Sequence, residues 1–531
     1  MHLPFTIEHY IMKKLLSITV LCCSLSAYSQ DTYMNEQLLN TSGDVIGTAR
    51  FVGMGGAMGA LGADMSVIGW NPAGIGLFRK SDVSISFGGL WNKNHIEEES
   101  RGSGTFDQAG FVYSIKTESN VCPYVNLAFN FQKKKNFLSN FYADNQNLYG
   151  ISQMDQLAEL ANAGFDTDHN LTGLVLDNNA FTKNPTTNKY YNQFYGEYSE
   201  YTHHSDGSLR GWDFNVSTNI KDRAFLGFTF GVDNLDYNSW TTYYEESSYT
   251  DQTGYKQGDY SIWNDYRIHG YGFNFKLGGI IRPFEDNSFR LGFAVESPTW
   301  FKLKSSVLMV YTDEVAGTRS SQRESYLEFN PRTPWKFRAS MGSTVGNKFA
   351  WDVDYEIADY KTMVQRYPEY NTFGGVKDLD MKEHTRANLK AVHTIRAGVE
   401  YRPTSPLAFR LGYNFTTSPY DKDAHFDQLE IAPGRTFNSA ALDYTTRTSF
   451  MVTKPTHILA LGMGYKWKSF YIDLAYKVRR QDADFFAFDD SFTAPGSDFS
   501  LDNPDLANVY LDAVPLNLTR HSIICTLGFK F

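Results

Sequence analysis

The last eleven residues, His521–Phe531 (HSIICTLGFKF), alternate with period two and end on an aromatic side chain. Ile523, Cys525, Leu527, Phe529 and Phe531 share one face with His521. Ser522, Thr526, Gly528 and Lys530 share the other, with Ile524 the exception. Successive side chains of a β-strand point to opposite faces, so the spacing predicts a closing strand with one apolar and one small or polar face. The pattern recurs along the chain. Phe470, Ile472, Leu474, Tyr476 and Val478 alternate with Tyr471, Asp473, Ala475 and Lys477. Leu459, Leu461, Met463, Tyr465 and Trp467 do so with Ala460, Gly462, Gly464 and Lys466, and Phe349, Trp351, Val353, Tyr355 and Ile357 with Asp352, Asp354 and Glu356. The second face separates two all-β folds. A sandwich alternates too, but its apolar face packs into a mostly aliphatic core. Here the apolar face is rich in aromatics on strand after strand, and the other carries Arg290, Arg338, Asp354, Arg396, Arg410 and Lys477. A greasy exterior around a wet interior is the pattern of a membrane-spanning barrel.

Such a barrel accommodates 531 residues in one closed sheet, because the sheet grows with strand number. Aromatics make up 16%, which suits girdles at two membrane interfaces. The mean hydropathy of −0.40 is too polar for a bundle of membrane helices. The net charge of −10, with no basic block, argues against a nucleic-acid partner. Near the start, Lys13 and Lys14 precede the apolar run Leu15–Leu25, and Ala27-Tyr28-Ser29 offers a small-residue cleavage site. Residues 1–29 are expected to be a signal peptide with its true start at Met12. Leu21 stands before Cys22 where a lipobox needs a small residue, so lipidation is not expected. Cys122 and Cys525 then remain, too few for a disulfide framework.

About fourteen strands are expected between residues 81 and 531, an even number that suits a single-chain barrel. Their starts fall near Asp82, Asp107, Cys122, Ser208, Arg223, Asp265, Ser288, Ser325, Lys348, Thr385, Pro406, Thr456, Ser469 and Thr519. The polar stretches Asn136–Asp206, Thr241–Asn264, Tyr360–Glu383, Asp421–Thr453 and Gln481–Leu518 read as long extracellular loops. In the first, Leu148, Ile151, Met154, Leu157 and Leu160 recur at helical spacing. They predict an amphipathic helix that either packs on the barrel rim or offers a groove for a greasy ligand.

Residues 30–80 break the alternation. Gly47–Phe78 is dense in Gly, Ala and Met, and Asn71-Pro72-Ala73-Gly74 reads as a turn. Gly53 and Gly55 mimic a dinucleotide loop, but the third glycine position is Met58 and no strand precedes it. A Gly/Ala-rich stretch ending in Asn-Pro-Ala just before the first strand resembles the N-terminal hatch of the FadL/TodX (OmpP1) outer-membrane transporters. Arg290-Leu291-Gly292-Phe293 leading to Glu296-Ser297-Pro298, and Arg410-Leu411-Gly412-Tyr413 leading to Ser418-Pro419-Tyr420, are similar to the same family's later strands. The resemblance implies a lumenal hatch over residues 30–80 and an outer-membrane address in contact with lipid and lipopolysaccharide. It also implies transport of hydrophobic molecules such as long-chain fatty acids.

On that reading the candidate ligand-binding residues are Phe51, Met54, Met58 and Leu61 on the hatch and Leu148, Ile151, Met154 and Leu157 outside, with Asn71, Pro72, Ala73 and Gly74 as the hatch motif. The hatch residues would equally serve as packing against the wall. A lumenal Arg or Lys is expected to meet a carboxylate head. Two alternatives stay open: a barrel that partners secretion-system proteins, and hemin uptake, suggested by His203-His204 although neighbouring strand residues point apart. No Ser, His and Asp stand at a recognisable catalytic spacing, and no His/Cys cluster has zinc spacing, so neither an enzyme, a metal site nor a cofactor is expected.

Overall fold

The computed structural model describes residues 30–93, 102–164, 168–178, 180–192, 194–251, 254–285, 287–313, 319–346, 348–369, 374–422, 424, 446–493 and 498–531. The expected signal segment lies outside them. Fourteen antiparallel strands form the wall: β1 (Asp82–Lys93), β2 (Gly102–Lys116), β3 (Tyr124–Asn136), β4 (Tyr195–Ile220), β5 (Ala224–Asp251), β6 (Gly254–Ile281), β7 (Arg290–Glu296 and Trp300–Asp313), β8 (Arg319–Phe329 and Lys336–Val345), β9 (Phe349–Asp359), β10 (Ala391–Tyr401), β11 (Leu407–Thr416), β12 (Phe450–Trp467), β13 (Phe470–Phe486) and β14 (Val514–Lys530). β1 pairs with both β2 and β14, with Asp82 opposite Lys530 and Lys93 opposite Thr519, so the sheet closes. β7 is broken at Ser297-Pro298-Thr299: its lower half pairs with β6 from Leu291 to Glu296 and its upper half from Trp300. Proline supplies no N–H to the ladder, which localises the break.

Outward residues form an apolar band. Phe293 is 57% exposed, Leu461 53% and Phe111 48%. So much exposed aromatic surface is stable only against an apolar medium. Three Tyr–His pairs share hydrogen bonds through His Nδ1 on this outer surface: Tyr355 with His393 (2.7 Å), Tyr413 with His457 (2.8 Å) and Tyr476 with His521 (2.7 Å). Each joins adjacent strands, β9–β10, β11–β12 and β13–β14. His521 therefore sits on the apolar face as a paired interfacial ring, not as an exception to it.

The wall is uneven in height. β5 and β6 have 28 residues each, whereas β9 and β10 have 11, about what a bilayer requires. The stretch 241–264 is thus mainly ladder, not loop, and β4 begins at Tyr195, not Ser208. The ladder continues beyond the bilayer, but the lipid-facing alternation stops there, so the pattern hides it. β13 likewise runs on to Phe486 and β14 starts at Val514, shortening the expected 481–518 loop, and Thr385 lies in a helix rather than opening β10.

The helices are α1 Gln30–Leu39, α2 Ala49–Gly53, α3 Gln153–Asn162, α4 Leu171–Asp177 and α5 Leu379–Asn388, of which α3 and α4 pack against the inward face of the tall strands. The expected 148–160 helix begins at Gln153; Leu148 and Ile151 precede it in a turn. All four of Leu148, Ile151, Met154 and Leu157 are buried in one apolar cluster with inward residues of the wall such as Tyr243 and Met309. Ser152 and Asp155 form a capping box for α3. Glu245, fully buried on β5, accepts hydrogen bonds from Ser152 (2.5 Å), Tyr243 (2.5 Å), Tyr260 (2.7 Å) and Ser247 (2.8 Å).

Residues 41–78 touch every strand. Met65 Sδ meets Ser84 of β1 (3.7 Å) and Gln108 of β2 (3.1 Å). Asn126 of β3 donates to the Ile75 carbonyl (2.7 Å), Ser217 of β4 to that of Pro72 (2.9 Å) and Thr229 of β5 to that of Ile68 (3.4 Å). Asn71 donates to Gly279 of β6 (3.4 Å); Arg290 of β7 donates to Leu61 (2.7 Å) and Arg338 of β8 to Trp70 (3.0 Å). Asp354 of β9 accepts from the amides of Met58 and Gly59, and Asp352 from those of Ala60 and Leu61. Arg50 pairs with Glu400 of β10 (3.0 Å). Lys477 of β13 donates to Val45, and Thr526 of β14 accepts from Ala49 (2.7 Å). On β11 and β12, glycines let the two backbones touch: a Cβ on Gly412 would lie 2.0 Å from Gly55 N, and one on Gly462 would lie 3.1 Å from Gly53 Cα. A segment in contact with all fourteen strands of a closed barrel lies in its lumen.

Two measurements check this arrangement. Gly412→Val drives a side chain into the Gly55 backbone, itself at φ +65°. It should cost the inner segment about 1–3 kcal/mol of anchoring and make residues 41–78 protease-sensitive while the barrel stays heat-modifiable on gels. Unchanged protection would refute the contact. Burial pushes the Asp155 carboxyl up to about 8. A raised acid stabilises the fold in its protonated form, so that contribution is present below the unfolded value near 4 and is lost as pH rises through 8. Amide exchange in α3, corrected for intrinsic base catalysis, should accelerate by up to about tenfold per unit between pH 4 and pH 8 and level off above it, and Asp155→Asn should flatten the profile.

Candidate functional site

Between α1, the wall and the start of the inner segment lies a cavity of about 180 Å³. Strands supply its apolar wall: Phe137 just past β3, Phe141, Tyr201 on β4, Phe450 on β12 and Phe485 on β13. α1 supplies the opposite side. Met34 and Leu38 pack into an apolar cluster with Phe137, Tyr237 and Phe450. The helix is pinned from its polar face, where Tyr420 donates to Glu36 (2.6 Å) and Asn35 to Gln365 (3.0 Å).

The remaining lining is cationic. Lys135, Arg447, Arg479 and Arg520 face two carboxylates, Glu36 and Asp44. Arg479 lies 3.6 Å from Asp44, and Arg520 is held by Asn92 (2.9 Å) and the Asn136 carbonyl (3.1 Å). Lys135 donates to the Asn40 carbonyl (2.8 Å). Arg447 approaches Met34 Sδ (3.2 Å) and the Tyr266 ring (5.6 Å), its Nε is buried without a hydrogen bond, and no carboxylate pairs with it among the described residues. A chamber with an aromatic wall and a cationic remainder, in which Arg447 Nε has no acceptor, suits an amphiphile with an anionic head.

The residues singled out by sequence sit around this chamber, not in its lining. Phe51, Met54, Met58 and Leu61 pack with Ile68 and Ile75 in the core of the inner segment and against the wall. Leu148, Ile151, Met154 and Leu157 belong to the cluster of α3 and α4 against the wall. The motif residues have a definite mechanical role. Asn71 Oδ1 accepts the Ala73 amide (3.2 Å), capping the short helix Pro72–Leu77, while its Nδ2 donates to the Gly59 carbonyl (2.8 Å). Asn71 thereby ties the two limbs of the inner segment together. Pro72 lies against Gly227 of β5, where a Cβ would come within 2.3 Å, and Ala73 and Gly74 are fully buried. The Arg-Leu-Gly-aromatic strands repeat one device: Arg290 and Gly292, like Arg410 and Gly412, face the lumen, Gly292 backing on Gly59 as Gly412 backs on Gly55.

His203 lines the chamber and stacks on Phe141 (4.7 Å), whereas His204 bonds Asn140 (3.2 Å) on the opposite face. The two do not converge on a shared axial position. Cys122 and Cys525 are unpaired thiols. The chamber residues escape sequence reading because they come from eight separated segments and the aromatic ones look like any other strand residue. The one available signal was the cationic run Lys133–Lys135.

No family model and no curated protein matches the sequence. Several solved structures are similar to it. The toluene transporter TbuX of Ralstonia pickettii is similar over 93% of this chain and 100% of its own, at 11% identity and a TM-score of 0.45. A Pseudomonas aeruginosa FadL homologue is similar over 92% and 98% at 11% identity and a TM-score of 0.48, and the toluene transporter TodX of P. putida over 92% and 99% at 10% identity and 0.46.

Proposed function

We propose that the chain is an outer-membrane transporter of hydrophobic molecules, with long-chain carboxylates as its preferred cargo. The observation that carries the reading is the chamber, apolar on both flanks, with Arg447 lacking a carboxylate among the described residues. The exposed apolar band and the export-type N-terminus support the address, and lipid and lipopolysaccharide are its surroundings. A water-filled pore offers greasy solutes no favourable site, whereas a closed chamber removes their apolar surface from water. Ligand enters past α3, beside Leu148, Ile151, Met154 and Leu157, and rests between α1 and the wall. The hatch, residues 41–78, then shifts to release it. That hatch is held mainly by hydrogen bonds to wall side chains, which can be exchanged one at a time. Phe51, Met54, Met58 and Leu61 become ligand contacts only when it moves.

The test is binding and uptake of labelled oleate against a neutral alkane of equal length. Arg447→Gln removes a charge-assisted contact worth about 1.5–3 kcal/mol, so oleate affinity should fall roughly 10- to 100-fold while alkane binding stays level. Ser205→Trp, which fills the chamber, should abolish both. Equal loss for oleate and alkane in Arg447→Gln would remove the carboxylate preference. Native membranes yielding the barrel with secretion subunits and no lipid would replace the whole reading with a secretion-partner role.

A further inference from the structure

Beside the chamber, sharing Asp44 as a lining residue, is a second and smaller cavity of about 70 Å³. Six cations line it: Lys133, Lys134, Lys276, Lys336, Arg338 and Arg396. Four of them are neutralised. Lys134 pairs with Asp233 (2.5 Å), Lys276 with Asp213 (2.9 Å), Lys336 with Glu296 (3.6 Å), and Arg338 with Glu296 and Glu356 (2.6 Å each). Asp44, the remaining lining carboxylate, is the partner of Arg479. Lys133 and Arg396 have no ion pair among the described residues, and Arg396 is only 3% exposed.

Arg396 rests on Trp70 of the inner segment, its guanidinium carbon 3.5 Å from the ring centroid, with Arg338 at 4.4 Å from the same centroid. Such stacking recovers part of the cost of desolvating a cation but leaves its charge in place. Two buried donors are also left over at this spot: Arg396 Nε and Trp70 Nε1 have no hydrogen-bond partner. Buried donors are normally satisfied, so a pair of orphans beside two unpaired cations marks a missing acceptor. The cavity has about the volume of two waters, enough for a halide or one carboxylate group.

We infer that this cavity is an anion-binding subsite, which takes a single carboxylate or small monovalent anion between Arg396, Lys133 and Trp70. The site stands whether or not the barrel carries apolar cargo. Its anion is either free or the head of an amphiphile that has descended from the chamber. Because Trp70 belongs to the inner segment and Arg396 and Lys133 to β10 and β3, an anion here ties that segment to two distant parts of the wall.

The full chain, purified in micelles and crystallised, is soaked in sodium bromide. An anomalous peak within hydrogen-bond reach of Arg396 Nε and Trp70 Nε1 is expected, and it should vanish in Arg396→Gln. Calorimetry with acetate and with octanoate separates the two sources. Binding of both marks a site for free anions, and binding of octanoate alone marks a station for an amphiphile's head. In either case Lys133→Met, on the half-buried and more tolerant side of the site, should weaken binding at least tenfold. No bromide peak together with no heat from either acid, or affinities unchanged in Lys133→Met and Arg396→Gln alike, would overturn the inference. Arg447→Gln should leave acetate binding intact, so failure of this site and failure of the chamber are read separately.

Discussion

The backbone of residues 41–78 makes little regular structure of its own, and the architecture depends on how the wall satisfies it. α2 has five residues, and the other ordered turns are the short helices Met65–Gly69 and Pro72–Leu77. A buried amide or carbonyl without a partner costs about 1–3 kcal/mol, so a segment this irregular could not sit inside a closed sheet unaided. The lumenal faces of the strands provide the partners. Asp352 and Asp354 take four consecutive amides from Met58 to Leu61, and Asn126, Ser217, Arg290 and Arg338 reach carbonyls. The charges that made the second face of the strand pattern so polar are therefore anchoring groups, and much of the wet interior is occupied by protein.

Glycines complete the fit from the wall side. Gly227, Gly278, Gly292, Gly398 and Gly412 each stand where a Cβ would come within 3 Å of the inner segment. Removing those side chains lets backbone lie on backbone, which brings the carboxylates and guanidinium groups of neighbouring strands into hydrogen-bond range. Hydrogen bonding and close approach are thus one constraint: the donors and acceptors are useful only at the distance the glycines permit.

Legibility in the sequence follows the same division. Wherever a strand faces lipid on one side and the lumen on the other, its alternation is forced, and β9 to β14 can be read from residue types alone. Above the bilayer the outward face turns polar and the inward face mixes Tyr201, Tyr243, Tyr260 and Ile262 with polar residues, so the upper halves of β4, β5 and β6 lose the signal although their ladders run unbroken. The Asn-Pro-Ala-Gly turn was visible because a cap and a proline-led short helix are local. The chamber was not, since Met34, Phe141, Arg447 and Phe485 meet only after closure. The apolar stripe Leu148–Leu157 was visible as a pattern, yet pattern alone does not say whether a buried stripe packs a core or meets a ligand; here it packs a core in the resting arrangement.

The lumen also has a charge gradient that composition conceals. The chain is acidic overall, at −10, but the chamber and the small cavity beneath it both hold more cations than carboxylates. Among the described residues, Arg447 at the upper site and Lys133 and Arg396 at the lower one have no ion pair. A greasy ligand has no use for such a column, and an open pore would hydrate it. An acidic amphiphile held in a closed lumen uses both features: its tail is sheltered by α1 and the aromatic wall, and its head always has a cation within reach. Asp44 lines both cavities and is already engaged with Arg479, so the field between the two cationic sites is partly screened. The same electrostatics that disfavour an empty lumen would draw an anion inward, and the inner segment, stacked through Trp70 on the lowest of those cations, is positioned to respond when one arrives.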